Sequence, residues 1–168
     1  MNDMRIPGID PARLRRALGR FATGITIVAT RTPAGAMVGL TVNSFSSVSL
    51  SPPLILWSVA RTAASFQAFV SCPVFSVNVL AEDQRPLAER FARSGGEKFA
   101  GIAMREGLFG VPLFDGTIAN FTCKREACYP GGDHMIVLGE VLACEQGGDR
   151  PLLYALGQYL ATGTPVER

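Results

Sequence analysis

The sequence has one histidine, one tryptophan and only a small excess of positive charge. Its 168 residues contain 16 basic and 14 acidic side chains, so the formal net charge is +2. This excess is too small to indicate a nucleic-acid-binding protein, which carries strong basic patches. The single histidine, His134, gives a Ser-His-Asp hydrolase only one candidate base and no consistent order of partners.

Long apolar runs are also missing. No stretch approaches the ~20 residues that a membrane-spanning helix requires, and residues 1–10 lack the apolar segment of a signal peptide. We therefore expect a cytoplasmic protein. Hydrophobic residues make up 48% of the sequence and charged residues 18%, which supplies a core and argues against disorder. The length favours a single domain over 1–168.

Motifs of the common catalytic and nucleotide-binding sites are absent. No GxGxxG follows a strand, no GxxxxGK precedes Ser or Thr, and no GxSxG surrounds a serine. The cysteines, Cys72, Cys123, Cys128 and Cys144, form no CxxC pair. A strand over 117–128 would put Cys123 and Cys128 on opposite faces. We therefore expect free, mostly buried thiols and neither a metal site nor a disulfide framework.

The most distinctive stretch that is present runs from Gly39 to Pro53. It holds five serines, a threonine and an asparagine around Phe45, with no charged residue. These hydroxyl and amide groups need hydrogen-bond partners if they are buried. The stretch could form a cradle for a polar, partly flat ligand, or a serine-rich edge strand that ends at Pro52-Pro53. The spacing alone slightly favours the edge strand.

Local patterns predict many short strands with connector helices. Asp10-Pro11 predicts the start of a helix whose apolar face includes Leu14, Leu18 and Phe21 and which stops at Gly24. Alternating residues predict an antiparallel hairpin of Ile25–Thr30 and Met37–Val42. Further strands are predicted over 54–60, buried on both faces, and over 74–80, 118–127 and 134–144, with a helix over 82–92. This pattern is typical of a mainly β protein, either a barrel or a sandwich.

Two further segments have both a functional and a structural interpretation. Residues 61–66 predict a short helix capped by Thr62, whose free amides, with Arg61 beside them, could hold a phosphate. A simple connector helix is the favoured interpretation of that segment alone. The glycine-rich region over 97–116 could be a lid or a long surface connection.

Taken together, several segments closely resemble one family. The segments are 21–28, 39–45, 51–54, 75–80, Lys98-Phe99 and Gly131-Gly132-Asp133-His134. In this order they resemble the short-chain flavin reductases, the reductase components of two-component flavin monooxygenases, from about Asp10 to Tyr159. The run Tyr129–His134 is similar to members that serve monooxygenases of aromatic or polyketide substrates.

This resemblance implies a split β-barrel of Greek-key type that forms a homodimer, with flavin near the subunit boundary. It also implies roles for particular residues. Thr41, Val42, Asn43, Ser44 and Phe45 would run along the isoalloxazine edge, with backbone contacts from Ser47 and Val48. Arg61, Thr62, Ala63, Ala64 and Ser65 would hold the ribityl phosphate, and Arg90 and Phe91 would reach the flavin from another side. His134, Tyr154 and Tyr159 would bound the nicotinamide half of the pocket.

The activity that the resemblance implies is hydride transfer from NADH or NADPH to FMN or FAD, after which reduced flavin leaves for a separate monooxygenase. No nucleophile is required, which agrees with the absence of a triad. Phe66 stands where many family members have tryptophan, and Val42 where many have alanine. A non-catalytic flavin-binding split-barrel protein and an oxidase of the pyridoxamine-phosphate-oxidase kind remain alternatives. His134 itself could be a structural residue.

Overall fold

Helix α1 opens the described part of the chain, which in this computed structural model covers residues 8–163. The remaining residues of the predicted domain, 1–7 and 164–168, lie outside the described part. α1 spans Pro11–Leu18, and the carboxylate of Asp10 caps it by accepting hydrogen bonds from the amides of Ala12 and Arg13 at 3.1 and 3.2 Å. The predicted start is confirmed, but the helix ends well before Gly24. None of its residues is buried, and the apolar side chains of Leu14 and Leu18 are exposed.

Strands make up most of the remaining secondary structure in residues 8–163, and the predicted mainly β fold is confirmed. The strands are β1 Thr23–Gly24, β2 Thr26–Arg31, β3 Met37–Val42, β4 Ser46–Leu50, β5 Pro53–Ala60, β6 Val74–Val79, β7 Met104–Glu106, β8 Pro112–Phe114, β9 Ala119–Gly131, β10 His134–Gln146, β11 Leu153–Ala155 and β12 Gln158–Leu160. Two further helices, α2 Phe66–Ser71 and α3 Arg85–Ala92, connect strands. Within this range no helix combines the length and the apolar character needed to cross a membrane.

The main sheet has seven antiparallel strands in the order β3-β2-β6-β9-β10-β5-β4. Its predicted first hairpin is confirmed, with Thr26 opposite Val42 and Arg31 opposite Met37. The sheet curls, because β3 at one edge contacts β5 near the other. Just past β3, the Ser44 hydroxyl accepts a hydrogen bond from the Ser58 amide at 2.9 Å and donates to the Ser58 carbonyl at 3.3 Å. The result is a partly closed barrel.

Aromatic side chains fill two clusters of the core. Trp57 packs edge-on against Phe69, with ring centroids 5.0 Å apart, in the first cluster. Phe91 contacts Phe99 and Phe114 at 4.9 and 5.2 Å in the second cluster, between α3 and the sheet. Such edge-to-face pairs contribute about 0.5–1.5 kcal/mol beyond the area that they bury. The second cluster therefore fixes the position of α3.

Strand β5 differs from its sequence-based prediction. Its residues alternate, with Ile55, Trp57 and Val59 buried and Leu54 and Leu56 only half-buried. An antiparallel strand with one face on the core gives this pattern. The prediction that both faces are buried is therefore wrong for a single chain, because the leucines of the outer face stay partly exposed.

The relation between Cys123 and Cys128 also differs from expectation. The register of β9 against β10 shifts so that Glu126 is an extra residue between Arg125 and Ala127. This bulge reverses the alternation, and both thiols pack against the same core cluster. Burial raises the pKa of Cys123 to about 12. All four cysteines are free, and no three candidate metal ligands gather among residues 8–163.

The region over 97–116 is partly integrated into the core rather than lying only on the surface. Its strands β7 and β8 pair with each other, and Leu113 and Phe114 are buried. The buried amide of Asn78 on β6 fixes this hairpin, since its oxygen accepts from the Phe114 amide at 3.0 Å and from Asn120 Nδ2 at 2.7 Å. The chain between α3 and β7 thus starts and ends on fixed elements.

Gly39 on β3 provides a test of this packing. A Cβ atom there would lie 2.5 Å from a ring carbon of Phe91 and 3.0 Å from Phe99. We expect Gly39→Ala to lower the free energy of unfolding by about 1–3 kcal/mol, because the ring is confined and must shift. Chemical denaturation measures this change.

Gly24→Ala is the matched control, since a Cβ at Gly24 meets no atom within 4 Å. Its free energy of unfolding should stay within about 0.5 kcal/mol of the wild type. Equal effects of the two substitutions would contradict the proposed close approach of β3 and α3.

Candidate functional site

Three segments predicted to form the site meet at one end of the main sheet. His134 lies opposite Ala60 in the pairing of β10 with β5. The Arg61 amide donates to the Asp133 carbonyl at 2.9 Å, and Arg61 Nε donates to the Gly132 carbonyl at 3.1 Å. Because Ser44 is bonded to β5, residues 41–45, 61–65 and 131–134 form adjacent parts of one surface.

The serine-rich stretch forms an edge strand in a single chain. β4 lies at the end of the sheet order. Ser47 and Val48 are exposed along it, and Asn43 is exposed in the bend that precedes it. An edge strand leaves backbone amides and carbonyls without strand partners. It can therefore be both the predicted edge and the predicted cradle, with its backbone available for a flat polar ligand.

Other predicted contacts in this stretch serve the fold. The Thr41 hydroxyl donates to the Ala88 carbonyl of α3 at 2.7 Å, and Ser44 is bonded to β5. Val42 is 8% exposed and belongs to the core, and Phe45 is half-buried and stacks on Phe121 at 5.8 Å. Their side chains position the strand, so any ligand contact at 41, 42 and 44 falls to the backbone.

Residues 61–65 do not form the predicted helix. α2 begins only at Phe66, and Ser65 occupies its N-cap position without a side-chain capping bond. Thr62 lies in the preceding turn, so the prediction that it caps the helix is wrong. Thr62 and Ala64 are exposed, whereas Ala63 packs against the core. The Arg61 side chain is directed to Gly132 of the neighbouring turn.

Arg90 and Phe91 both belong to α3 and serve the packing around it. Phe91 is fully buried beneath β3. Arg90 Nη2 donates to the carbonyls of Glu97 and Ala100 at 2.8 and 2.7 Å, and so holds the chain after α3. In a single chain the Phe91 ring is closed off from solvent and the Arg90 guanidinium is engaged with the main chain, so their contacts with a flavin stay a prediction.

A cavity of about 860 Å³ lies between β3, the segment that leads into α2, and the chain after α3. This volume is within the range of small-molecule sites, about 300–1,000 Å³. Its walls are formed by Thr32, residues 36–40, Ala63, Ala64, Ser65, Ala68 and residues 92–100. The cavity therefore includes three of the residues predicted to hold a phosphate.

Lys98 is the functional candidate to which the sequence assigned no role. It is a half-buried residue of the cavity wall, and its Nζ donates to the Phe91 carbonyl at 3.1 Å. Burial lowers its pKa from the usual value, because removing water disfavours the charged form. The sequence held two signals, since Lys98-Phe99 is one of the segments that resemble the family and only two lysines occur in the whole chain.

His134, the first residue of β10, is partly exposed. Its Nδ1 lies 2.7 Å from an Asp133 carboxylate oxygen, and 44% of its side-chain surface is accessible. The hydrogen bond and charge of His134 lower the pKa of Asp133. This contact engages Nδ1, so Nε2 is the ring nitrogen available to a ligand.

Tyr154 and Tyr159 lie in the small three-stranded sheet of β1, β11 and β12. They face each other across β11 and β12, with ring centroids 5.3 Å apart, in a sheet that pairs with β1. The guanidinium of Arg85 lies 5.6 Å from the Tyr159 ring centroid. Both tyrosines pack against the second core cluster. A single chain therefore does not place them on the same sheet as His134.

The chain is similar in sequence to a known family and to several named relatives. A model of the family described as flavin reductase like domain matches residues 18–163. The FMN reductase (NADH) SmoA of Agrobacterium fabrum is 44% identical over 156 residues, covering 92% of this chain and 88% of that protein. The reductase subunit HsaB of a flavin-dependent monooxygenase from Rhodococcus jostii is 41% identical, covering 90% of this chain and 77% of that protein.

Solved structures give the same result for the fold. The NADH:FAD oxidoreductase SgcE6 of Streptomyces globisporus, in complex with NAD and FAD fragments, matches with a TM-score of 0.89 at 34% identity, covering 96% of this chain and 100% of that one. The predicted split-barrel fold is thereby confirmed. The chain spans only about half the length of some relatives, 48% of a probable flavin reductase of Rhizobium meliloti and 53% of a putative oxidoreductase of Sinorhizobium meliloti.

Proposed function

Because this chain belongs to the flavin reductase-like family, we propose that it is an NAD(P)H:flavin oxidoreductase that reduces FMN or FAD. The observation that carries this proposal is the family match over residues 18–163, together with a 44% identical relative named FMN reductase (NADH). Reduced flavin would be supplied to a separate monooxygenase. Support for that partner comes from the name of the HsaB relative, a reductase subunit of a flavin-dependent monooxygenase.

The residues present fit a flavin. Asn43, which precedes the edge strand, and Ser47 within it are exposed and uncharged. The isoalloxazine edge that they would face is uncharged as well. The neighbouring cavity has the volume of a small-molecule site and a lysine in its wall. A ligand with a neutral ring and an anionic tail matches this division. The predicted contacts at 41–45, 47–48, 61–65, 90–91, 154 and 159 remain part of this proposal.

The bound flavin and nicotinamide supply the hydride chemistry. The chain's own residues would bind the two nucleotides, orient them toward each other and exclude water from between them. Backbone groups along β4 hold the ring edge, while Arg90 keeps the cavity wall in place through Glu97 and Ala100. Nε2 of His134 would orient the nicotinamide carboxamide, with Asp133 fixing the imidazole through Nδ1. The cytoplasmic location expected from the sequence stays a prediction.

Turnover tests the proposed activity directly. We expect the protein with excess FMN or FAD and NADH or NADPH in air to oxidise many nicotinamides per chain, because reduced flavin is reoxidised in solution. Nicotinamide absorbance measures this rate. If flavin binds but neither NADH nor NADPH is consumed, the protein is a non-catalytic flavin carrier and the proposal is wrong.

His134→Ala tests the proposed orienting role. Loss of one hydrogen bond costs about 0.5–1.5 kcal/mol, so we expect KM for the nicotinamide nucleotide to rise about 2- to 13-fold. Steady-state kinetics measure KM, and flavin fluorescence measures the flavin Kd, which should change little. An equal loss of nicotinamide use and flavin binding would instead identify His134 as a structural residue.

A homodimer is also part of the proposal. The outer face of β5 and β10 carries half-buried Leu54, Leu56, Ile136 and Leu138, and Leu138 lies directly opposite Leu56. Apolar side chains that stay half-exposed on one face of a sheet are suited to contact with a second copy. Pairing through this face would also supply the subunit boundary at which family members bind flavin.

We expect light scattering after gel filtration to give twice the monomer mass of 17.9 kDa. Leu138→Lys should shift the protein toward monomer, because it places a charge directly opposite Leu56 on this face. Circular dichroism checks that the variant is folded. A wild-type monomer at micromolar concentration, or a dimer unaffected by the substitution, would exclude this face as the interface.

A further inference from the structure

The chain's two lysines have contrasting surroundings. Lys124 is exposed on β9, and its Nζ lies 3.2 Å from a Glu126 carboxylate oxygen and 3.7 Å from one of Glu140. Lys98 is half-buried in the cavity wall and forms no ion pair with a carboxylate in the part of the chain that is described. A partly desolvated ammonium group without a counter-charge is costly, and it attracts an anion that enters the cavity.

The Lys98 ammonium group has bonding capacity to spare. It carries three protons, and within residues 8–163 its one hydrogen-bond acceptor is the Phe91 carbonyl. The other charged side chains of the cavity wall, Arg93 and Glu97, are exposed. Two donor positions of Lys98 are therefore available to a ligand.

The main chain around Lys98 is held on both sides. Arg90 bonds to the carbonyls of Glu97 and Ala100, which flank Lys98 in the sequence. Phe99 packs on Phe91. A cation fixed in this way loses little freedom when an anion binds, which favours affinity. Arg61, by comparison, is an exposed side chain engaged with Gly132 and does not line the cavity.

We propose that Lys98, rather than Arg61, is the principal cation for the phosphate group of the flavin nucleotide, with the Ser65 hydroxyl on another wall of the same cavity. This assignment rests on the proposed function and names the residue that binds the tail of its substrate. A phosphate monoester brings two negative charges and several acceptor oxygens. Ser65 is half-buried in the wall of the same cavity, and its hydroxyl does not cap α2.

A structural explanation competes with this proposal. The Phe91 carbonyl lies in the last turn of α3, and a cation near a helix C-terminus stabilises the helix. If that were the whole role of Lys98, its removal would destabilise the protein without distinguishing between phosphorylated and unphosphorylated flavins. FMN and riboflavin differ only by the phosphate and therefore separate the two explanations.

The experiment measures Kd of FMN and of riboflavin by flavin fluorescence, without nicotinamide, for the wild type and Lys98→Met. We expect FMN binding to weaken about 10- to 100-fold, as for loss of a charge-assisted hydrogen bond, and riboflavin binding to stay within about 2-fold. Lys98→Arg should recover part of the FMN affinity. Lys124→Met, the matched control, should leave both affinities unchanged.

Salt dependence of the wild type gives an independent measurement should Lys98→Met fail to fold. FMN affinity should fall as salt rises and riboflavin affinity should not, because screening acts on the charged pair. Equal losses for FMN and riboflavin in Lys98→Met, no loss for either, or no affinity of the wild type for FMN would each overturn the proposal. Phosphate-selective binding without nicotinamide turnover would support it while refuting the proposed reductase activity.

Discussion

The close approach of β3 to α3 is the constraint on which the rest of the site depends. Because Gly39 has no side chain, the Phe91 ring can lie directly against β3. The Thr41 hydroxyl then reaches the Ala88 carbonyl at 2.7 Å and fixes the helix against the strand. From this fixed helix Arg90 holds the following segment, and that segment places Lys98 in the cavity wall. Packing between two elements thus determines where the charge of the site lies.

The proposed site would separate neutral and charged functions in space. Serine and threonine side chains that could have bound a ligand, such as Ser44, instead join the ends of strands. This leaves the exposed backbone of β4 for a flat neutral group. The partly desolvated cation, Lys98, lies in the wall of the cavity. Such an arrangement would suit a flavin nucleotide that must bind and leave. The affinity for its phosphate group could change without altering the surroundings of its isoalloxazine ring.

Local signals in the sequence predict much of the fold and part of the site. Asp10 followed by proline predicts the start of α1, and alternating residues predict the first hairpin. Both features can be predicted because each depends on residues that are close in the sequence. The bulge at Glu126 and the outer face of β5 could not be predicted, because they depend on pairing with distant strands. Family resemblance assigns roles to positions but does not say where a side chain points. That is why Phe91 proved to be a buried wall and Lys98 received no role.

A crystal structure of the protein with FMN tests the central claim most directly, which is that a neutral strand edge holds the ring and a cationic cavity holds the tail. We expect a phosphate oxygen at about 2.7–2.9 Å from Lys98 Nζ and the isoalloxazine edge along the backbone of β4. A phosphate bound by Arg61 outside the cavity, with Lys98 still bonded only to the Phe91 carbonyl, would contradict this account.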